Sequence, residues 1–347
     1  MVLVLSFLIF VSVQSGSPEE GGLRYDVARI DSLLSAGIDL TLKQEYDGAQ
    51  SVFRAMAEDF PDSPVGYLYL AAVLQSQALD YEELVPVPAF DSLLAVAREK
   101  SESVIARNPA SPWGYFFLGT IFGNEALALA ERGNWFGAVT RGMSSATNFE
   151  RSVALDSQLV DAYTGIGTYY YWKSRKIEFL TWLPFISDNR EEGITFLERC
   201  ARYGVYNRFA AMSALINIYI DAAEYEKAVE MSRTALSTYP ENRIFLWGLA
   251  TALERARQPN LALVAYERLL RAIVNDPRPN RYNELVCRLN FLSLKLQTNR
   301  SENLREELSL IRLLAAGEFP EHLEDRVEDK RLRLKDLEKT LAGDGTR

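Results

Sequence analysis

Residues Ala223–Asn242 read AEYEKAVEMSRTALSTYPEN, and this stretch decides the fold. Ala228 and Ala235 share one side of a helix that Pro240 must end. Small alanines allow another helix to approach closely, and proline stops a helix because it lacks an amide donor and clashes with the preceding turn. Just upstream, Met212, Leu215 and Tyr219 recur at i, i+3 and i+7, the apolar face of a second helix. The scheme returns on both sides. Residues 30–63 carry Leu33, Gly37, Tyr46, Ala49, Phe53 and Pro61 in the same order. Residues 243–276 carry Leu246, Leu249, Ala250, Ala262, Tyr266 and Leu269, with Asp276-Pro277 as a slightly late stop.

This recurrence resembles the tetratricopeptide repeat superfamily over about residues 30–276. The resemblance implies an all-α fold, a right-handed superhelical solenoid of helix pairs. Aligned on their first helices, the units start near 30, 64, 112, 160, 209 and 243, so the three central ones each hold about 14 extra residues. In the unit at 112–159 the periodicity predicts a helix from Pro112 to about Glu131, a turn at Gly133-Asn134, and a second helix to about Leu155. Shared between two helices, the extra residues add about two turns each, or ~10 Å. The other long units place VPVPAF (Val85–Phe90) and FLTWLPF (Phe179–Phe185) at the corresponding turn.

Inserts on one edge of neighbouring repeats should meet. Phe90, Trp135, Phe136, Phe179, Trp182 and Phe185 would then form an apolar ridge. Such a ridge is either a satellite core or a contact surface for a membrane, a lipid or another subunit. Past residue 277 the pattern loosens. Residues 281–297 and 301–315 read as a degenerate helix pair, and 318–341 as a charged helix capping the last repeat. The expected division is therefore a signal peptide at 1–15, a linker at 16–28, repeats at 29–276, and the pair with its cap at 277–347.

The signal peptide is read from residues 2–13, VLVLSFLIFVSV, an apolar run too short to span a bilayer and followed by small and polar residues. Cleavage is expected after Ser15 or Gly16, although no Lys or Arg precedes Arg24. The expectation is an exported protein, periplasmic or extracellular and soluble after processing. No cysteine follows the run, which removes a lipoprotein anchor.

Composition narrows the chemistry. Of 347 residues 48% are hydrophobic and 24% charged, which excludes a disordered chain. The net charge of −9 argues against a nucleic-acid partner. It sits wholly in residues 1–110, which hold 16 acids against 7 bases, and suits either steering of a basic partner or simple solvation. One histidine, His322, and two cysteines, Cys200 and Cys287, cannot build a multi-histidine metal site or a disulfide framework. No cofactor, metal site or catalytic group is expected, and buried reduced thiols are the reading for the cysteines. Asp188 or Asn189 reads as a helix N-cap.

The resemblance also implies where a partner would bind, because positions 2, 5, 9 and 12 of each first helix line the concave groove of this superfamily. Carried over residue by residue, these are Val65, Leu68, Ala72 and Gln75, then Trp113, Phe116 and Thr120 with Asn124 one step on. Asp161, Thr164, Thr168 and Tyr171 follow, with Trp172 adjacent, then Ser213 and Asn217, then Ile244, Trp247, Thr251 and Glu254. This lining of aromatics, hydroxyls and amides suits an extended peptide or an apolar segment. For Trp113, Phe116 and Tyr171 the alternative is burial between repeats. The leading functional expectation is an exported, non-enzymatic scaffold holding a peptide or protein partner. The alternative is a periplasmic subunit that binds a hydrophobic ligand or touches a membrane through the ridge.

Overall fold

One backbone turn recurs along the chain and explains its architecture. In the computed structural model, which describes residues 22–176, 187–300 and 302–344, six turns close with an N–H bonded to the carbonyl five residues back. The pairs are Glu45 to Leu40, Glu83 to Ala78, Asn134 to Leu129, Glu224 to Tyr219, Gln258 to Leu253 and Arg300 to Lys295, all at 2.8–3.0 Å. The residue before each donor lies in the left-handed region: Gln44, Glu82, Gly133, Ala223, Arg257 and Asn299. This arrangement satisfies the last carbonyls of a helix while reversing the chain, so each turn ends the first helix of a pair.

A second turn returns the chain to the next pair. Ser63, Ser111, Leu159 and Asn242 each donate their N–H to the carbonyl three residues back, across Pro61, Pro109 and Pro240 in three of the four turns. Ser111 and Asn242 then cap the following helix, their side chains accepting from the N–H groups of Gly114 and Phe245. The Tyr-Pro-Glu-Asn run is thus a stop and a start at once.

Among the described residues these turns join fifteen α-helices: α1 (Ala28–Leu42), α2 (Tyr46–Asp59), α3 (Val65–Tyr81), α4 (Val87–Arg107), α5 (Pro112–Glu131), α6 (Trp135–Leu155), α7 (Tyr163–Lys176), α8 (Arg190–Tyr203), α9 (Arg208–Asp221), α10 (Tyr225–Thr238), α11 (Arg243–Arg255), α12 (Pro259–Val274), α13 (Arg281–Gln297), α14 (Leu304–Ala315) and α15 (Glu324–Asp344). One 3₁₀ turn at Val160–Ala162 leads into α7, and another at Glu321–Leu323 leads into α15. Helices α4, α5 and α6 run to 20–21 residues, against 13–14 in α9, α10 and α11. None of the described helices is long and apolar enough to cross a membrane.

Consecutive helices bury one continuous core from Ile30 to Leu294, with smaller clusters under α13 to α15. Where helices cross closely a glycine is required. A Cβ on Gly167 of α7 would lie 2.5 Å from the Gly193 carbonyl of α8, and one on Gly193 would lie 2.7 Å from that of Gly167. The two backbones touch with nothing between them.

The solenoid also touches itself. Residues about 200 apart in sequence meet where the first helices lie against α10 to α13. Tyr239 donates to Asp39 at 3.1 Å, Asn242 to the Leu42 carbonyl at 2.7 Å, and the Arg243 N–H to the Gln44 side chain at 2.9 Å. At the centre the Arg243 guanidinium grips Asp80 through Nε and Nη2 and reaches Asp276 at 2.5 Å. Tyr46 donates to Asp80 at 2.9 Å and Tyr81 to Asp276 at 2.9 Å, while Asn280 and Asn283 donate to the Asp80 carbonyl. At the rim, Arg278 pairs with Glu83 and Arg326 of α15 with Glu82. The segment expected as linker is drawn in too. Leu23 donates to the Gln158 carbonyl at 2.9 Å, the Tyr25 N–H donates to the Tyr206 hydroxyl at 2.9 Å, and the Tyr25 ring packs edge-on against Trp113.

This clasp predicts an alkaline limit to stability. Burial raises the hydroxyls of Tyr81 and Tyr239 to about 12, helped by their bonds to Asp276 and Asp39. Unfolded tyrosine titrates near ~10, so the folded state holds these protons more tightly. Their contribution is whole below about pH 10 and is lost as pH rises through about 12. Urea unfolding repeated across that range should show stability falling, and a flat profile would refute the assignment.

Two parts of the expected ridge come out differently. Phe90 is 1% exposed and belongs to the core: α4 begins at Val87, with Pro86 as its N-cap and Pro88 in its first turn, so Phe90 sits on the helix and not in a projecting turn. Trp135 and Phe136 are exposed, at 62% and 87%. Phe179, Trp182 and Phe185 lie outside the described residues.

Candidate functional site

The polar face of the solenoid is built from residues four apart. In α9, Ser213, Asn217 and Asp221 fall on one line, since four residues is one turn plus a small advance. Thr168 and Trp172 form the matching pair on α7, and Arg255 closes α11 four residues after Thr251. These lines converge on a cavity of about 780 Å³ lined by Thr168, Trp172, Ser213, Asn217, Asp221, Tyr225 and Arg255, among others. Its floor is short-chained: Ala210 and Ala214 leave the volume open.

The wall at Asp221 is fixed from behind. Tyr171 donates its hydroxyl to Asp221 Oδ2 at 2.7 Å, and Arg175 Nε reaches the same oxygen at 2.8 Å. Burial alone would raise this carboxyl, yet the two donors outweigh it and hold it below the usual aspartate range. Asp221 is therefore a carboxylate at neutral pH. A second cavity of about 610 Å³, lined by Tyr171, Arg175, Asp188, Arg190 and Glu191, lies across this wall and shares Asp221. Here Asp188 accepts from the Arg190 N–H at 3.0 Å, ahead of the first turn of α8, and the Arg190 side chain lowers its pKa.

Of the residues carried over from the resemblance, the structure gathers Thr168, Ser213 and Asn217, with Trp172. It does not place the others there. Trp113 and Phe116 are core residues, 7% and 0% exposed. Phe116 is enclosed by the rings of Trp113, Phe117 and Phe149, and Tyr25 from the N-terminal segment covers Trp113. Tyr171 has its ring buried and contributes only its hydroxyl. Val65, Leu68 and Gln75 are buried as well, and Asp161 is wholly so.

The remaining polar candidates are satisfied within the fold. Thr120 and Asn124 bond back to carbonyls of their own helix, as Asn217 does to Ser213 at 3.2 Å, but unlike Asn217 they do not line the cavity, and Thr164 meets the Cys200 sulfur at 3.0 Å. Trp247 packs edge-on against Tyr266, whose hydroxyl donates to Glu254 at 2.7 Å. Thr251 is half-buried and does not line the cavity. Asp161 accepts the backbone N–H groups of Val205, Tyr206 and Asn207, so this carboxylate shapes the turn before α9. Arg255, Asp221 and Tyr225 are the polar lining residues that the carried-over positions missed. Continuing each face by one more turn from Asn217 and Thr251 would have found the first two.

Among the described residues no group of three His, Cys, Asp or Glu side chains could hold a metal ion. Cys200 and Cys287 are free and buried, and burial raises both thiols well above the ordinary cysteine range.

No protein-family profile matches the chain, and no curated protein matches it. Solved structures do. The chain is similar to the APC/C hetero-tetramer Cut9–Hcn1, with a TM-score of 0.53 and 13% identity over 91% of this chain and 57% of that one. It also matches YrrB, a tetratricopeptide protein with an unusual peptide-binding site, at a TM-score of 0.45 and 14% identity, covering 70% of this chain and 99% of that one. PilW, a type IV pilus biogenesis factor, matches at 0.47 and 11% identity over 74% and 98%. Taken with its helix pairs and repeated turns, the chain has a tetratricopeptide-like, all-α solenoid fold.

Proposed function

We propose that the protein is a non-enzymatic interaction scaffold that holds an extended peptide of a partner protein between α7, α9 and α11. The observation that carries this reading is the cavity itself, where Thr168, Ser213 and Asn217 offer hydroxyl and amide groups beside the Trp172 ring. Pockets of this size with a few convergent polar groups and one aromatic wall are suited to ligand recognition. An extended backbone presents alternating donors and acceptors, which a line of Ser and Asn side chains can read. Arg255 adds a cation to the lining and Asp221 a carboxylate. The favoured peptide therefore carries an acidic group near Arg255 and a basic or amide group near Asp221.

Peptides displayed on phage and selected on the immobilised protein test this directly. Selected peptides should bind the Arg255→Ala variant more than about tenfold more weakly, since a hydrogen bond to a charged group contributes about 1.5–3 kcal/mol, and the Asn217→Ala variant several-fold more weakly, since a neutral one contributes about 0.5–1.5 kcal/mol. Enrichment of peptides that bind both variants as well as the parent would refute the groove assignment.

Export belongs to the same proposal and rests on the apolar run at residues 2–13. Intact mass of protein recovered from a secreting host should show a chain beginning at Gly16 or Ser17. A cytoplasmic, unprocessed product would remove export from the reading.

A further inference from the structure

The first turns of α6 display a face that the described residues leave uncovered. Trp135, Phe136, Val139 and Met143 are 62%, 87%, 61% and 53% exposed. Their spacing of i, i+1, i+4 and i+8 places them along one side of the helix. Other large exposed apolar residues, such as Ile244, Val274, Leu313 and Leu332, are scattered over different helices.

The charge around this face is one-sided. From Arg132 to Phe149 the chain has no carboxylate, and its charged residues are Arg132 and Arg141. Helix α7, which packs beside α6 through Tyr169 against Gly142, also has none from Tyr163 to Lys176 and carries Lys173, Arg175 and Lys176. The Lys176 ammonium sits 5.4 Å from the centre of the Trp135 ring. Lys173 lies over Tyr169 at 5.7 Å, and both lysines are exposed. Arg141 is paired with Glu125 and Arg175 with Asp221, so the exposed Lys173 and Lys176, on a helix without acids, are the cations that stand beside the apolar face in a chain of net charge −9.

We infer that this α6–α7 face docks onto an anionic lipid bilayer. A helix lying at an interface buries Trp, Phe and aliphatic side chains at headgroup depth, while flanking Lys and Arg meet lipid phosphates. Trp135 with Lys176 beside it is that pairing in one contact, the ring descending and the ammonium staying at the surface. The peptide cavity between α7, α9 and α11 uses Thr168 and Trp172, so the two faces of α7 would serve different partners.

The test is co-sedimentation of the full chain with vesicles of phosphatidylcholine alone and of phosphatidylcholine mixed with phosphatidylglycerol. The expected result is partition into the mixed vesicles that weakens with added salt, and little into the neutral ones. Phe136→Ser with Val139→Ser should lower the partition coefficient about tenfold or more, from lost apolar burial. Lys173→Gln with Lys176→Gln should lower it by a similar factor on mixed vesicles only. Circular dichroism checks that both variants stay folded, and Asn217→Ala should bind vesicles as the parent does. Failure to partition into mixed vesicles overturns the inference. So does partition that neither double variant changes, or a dimer in lipid-free buffer that Phe136→Ser with Val139→Ser disperses, since a second copy would then cover the face.

Discussion

Replacing Arg243 by alanine is expected to destabilise the protein by about 3–5 kcal/mol, because it leaves Asp80 and Asp276 buried without their counter-charge. Arg243 is 5% exposed and Asp80 equally so. The fork geometry explains the size of the effect. Nε and Nη2 address the two oxygens of Asp80 while Nη1 turns to Asp276. A lysine places one point charge where the guanidinium makes three contacts, so Arg243→Lys should recover only part of the loss. Urea unfolding followed by circular dichroism measures both variants. The same arginine substitution in an Asp80→Asn background should cost clearly less, because one buried charge has already gone. A loss below about 1 kcal/mol for Arg243→Ala would mean that the clasp is wet and contributes little.

Phe116→Ala should cost about 3–5 kcal/mol as well, through a cavity rather than a charge. The ring is fully buried, with Trp113, Phe149 and Phe117 at centroid distances of 5.4, 5.6 and 5.8 Å. A groove-lining residue behaves differently: its truncation weakens binding and leaves the melting transition in place. Thermal melts of Phe116→Ala beside Asn217→Ala therefore separate the two roles. A Phe116→Ala protein that melts with the parent would return this ring to the binding surface.

How far these residues were legible in the sequence depends on the range of the interaction that fixes them. The α5–α6 hairpin ends where Gly133 and Asn134 say it should, because one residue needs the left-handed region and the next caps a helix through its own side chain. Both causes lie within a few residues of their effect. The equivalent turns at Gln44, Glu82, Ala223 and Arg257 carry no such sign. There the surrounding pair of helices imposes the left-handed residue on side chains that do not favour it.

The candidate site was legible only in part. The groove positions that the resemblance implies follow the period of each first helix, and at Thr168, Ser213 and Asn217 they meet the cavity between α7, α9 and α11. Trp113 obeys the same period, but the chain that covers it comes from Tyr25, far upstream. Arg243 reads as an ordinary surface arginine at the start of a helix. Its partner Asp80 is 163 residues away, and no local pattern connects them.

The meeting of the first helices with α10 to α13 changes what kind of folding problem this chain presents. In an open solenoid each repeat touches only its neighbours, so unfolding can begin at either end and travel unit by unit. Here the Tyr239–Asp39, Asn242–Leu42 and Arg243–Asp80 contacts tie the beginning of the coil to a point near its end. Fraying of the first pair then breaks contacts in the tenth and eleventh helices, and the loss of either is shared. The array should melt as one cooperative body rather than as a sequence of steps. It should also fold more slowly than its helical content suggests, since its last contacts join residues about 200 apart in the chain.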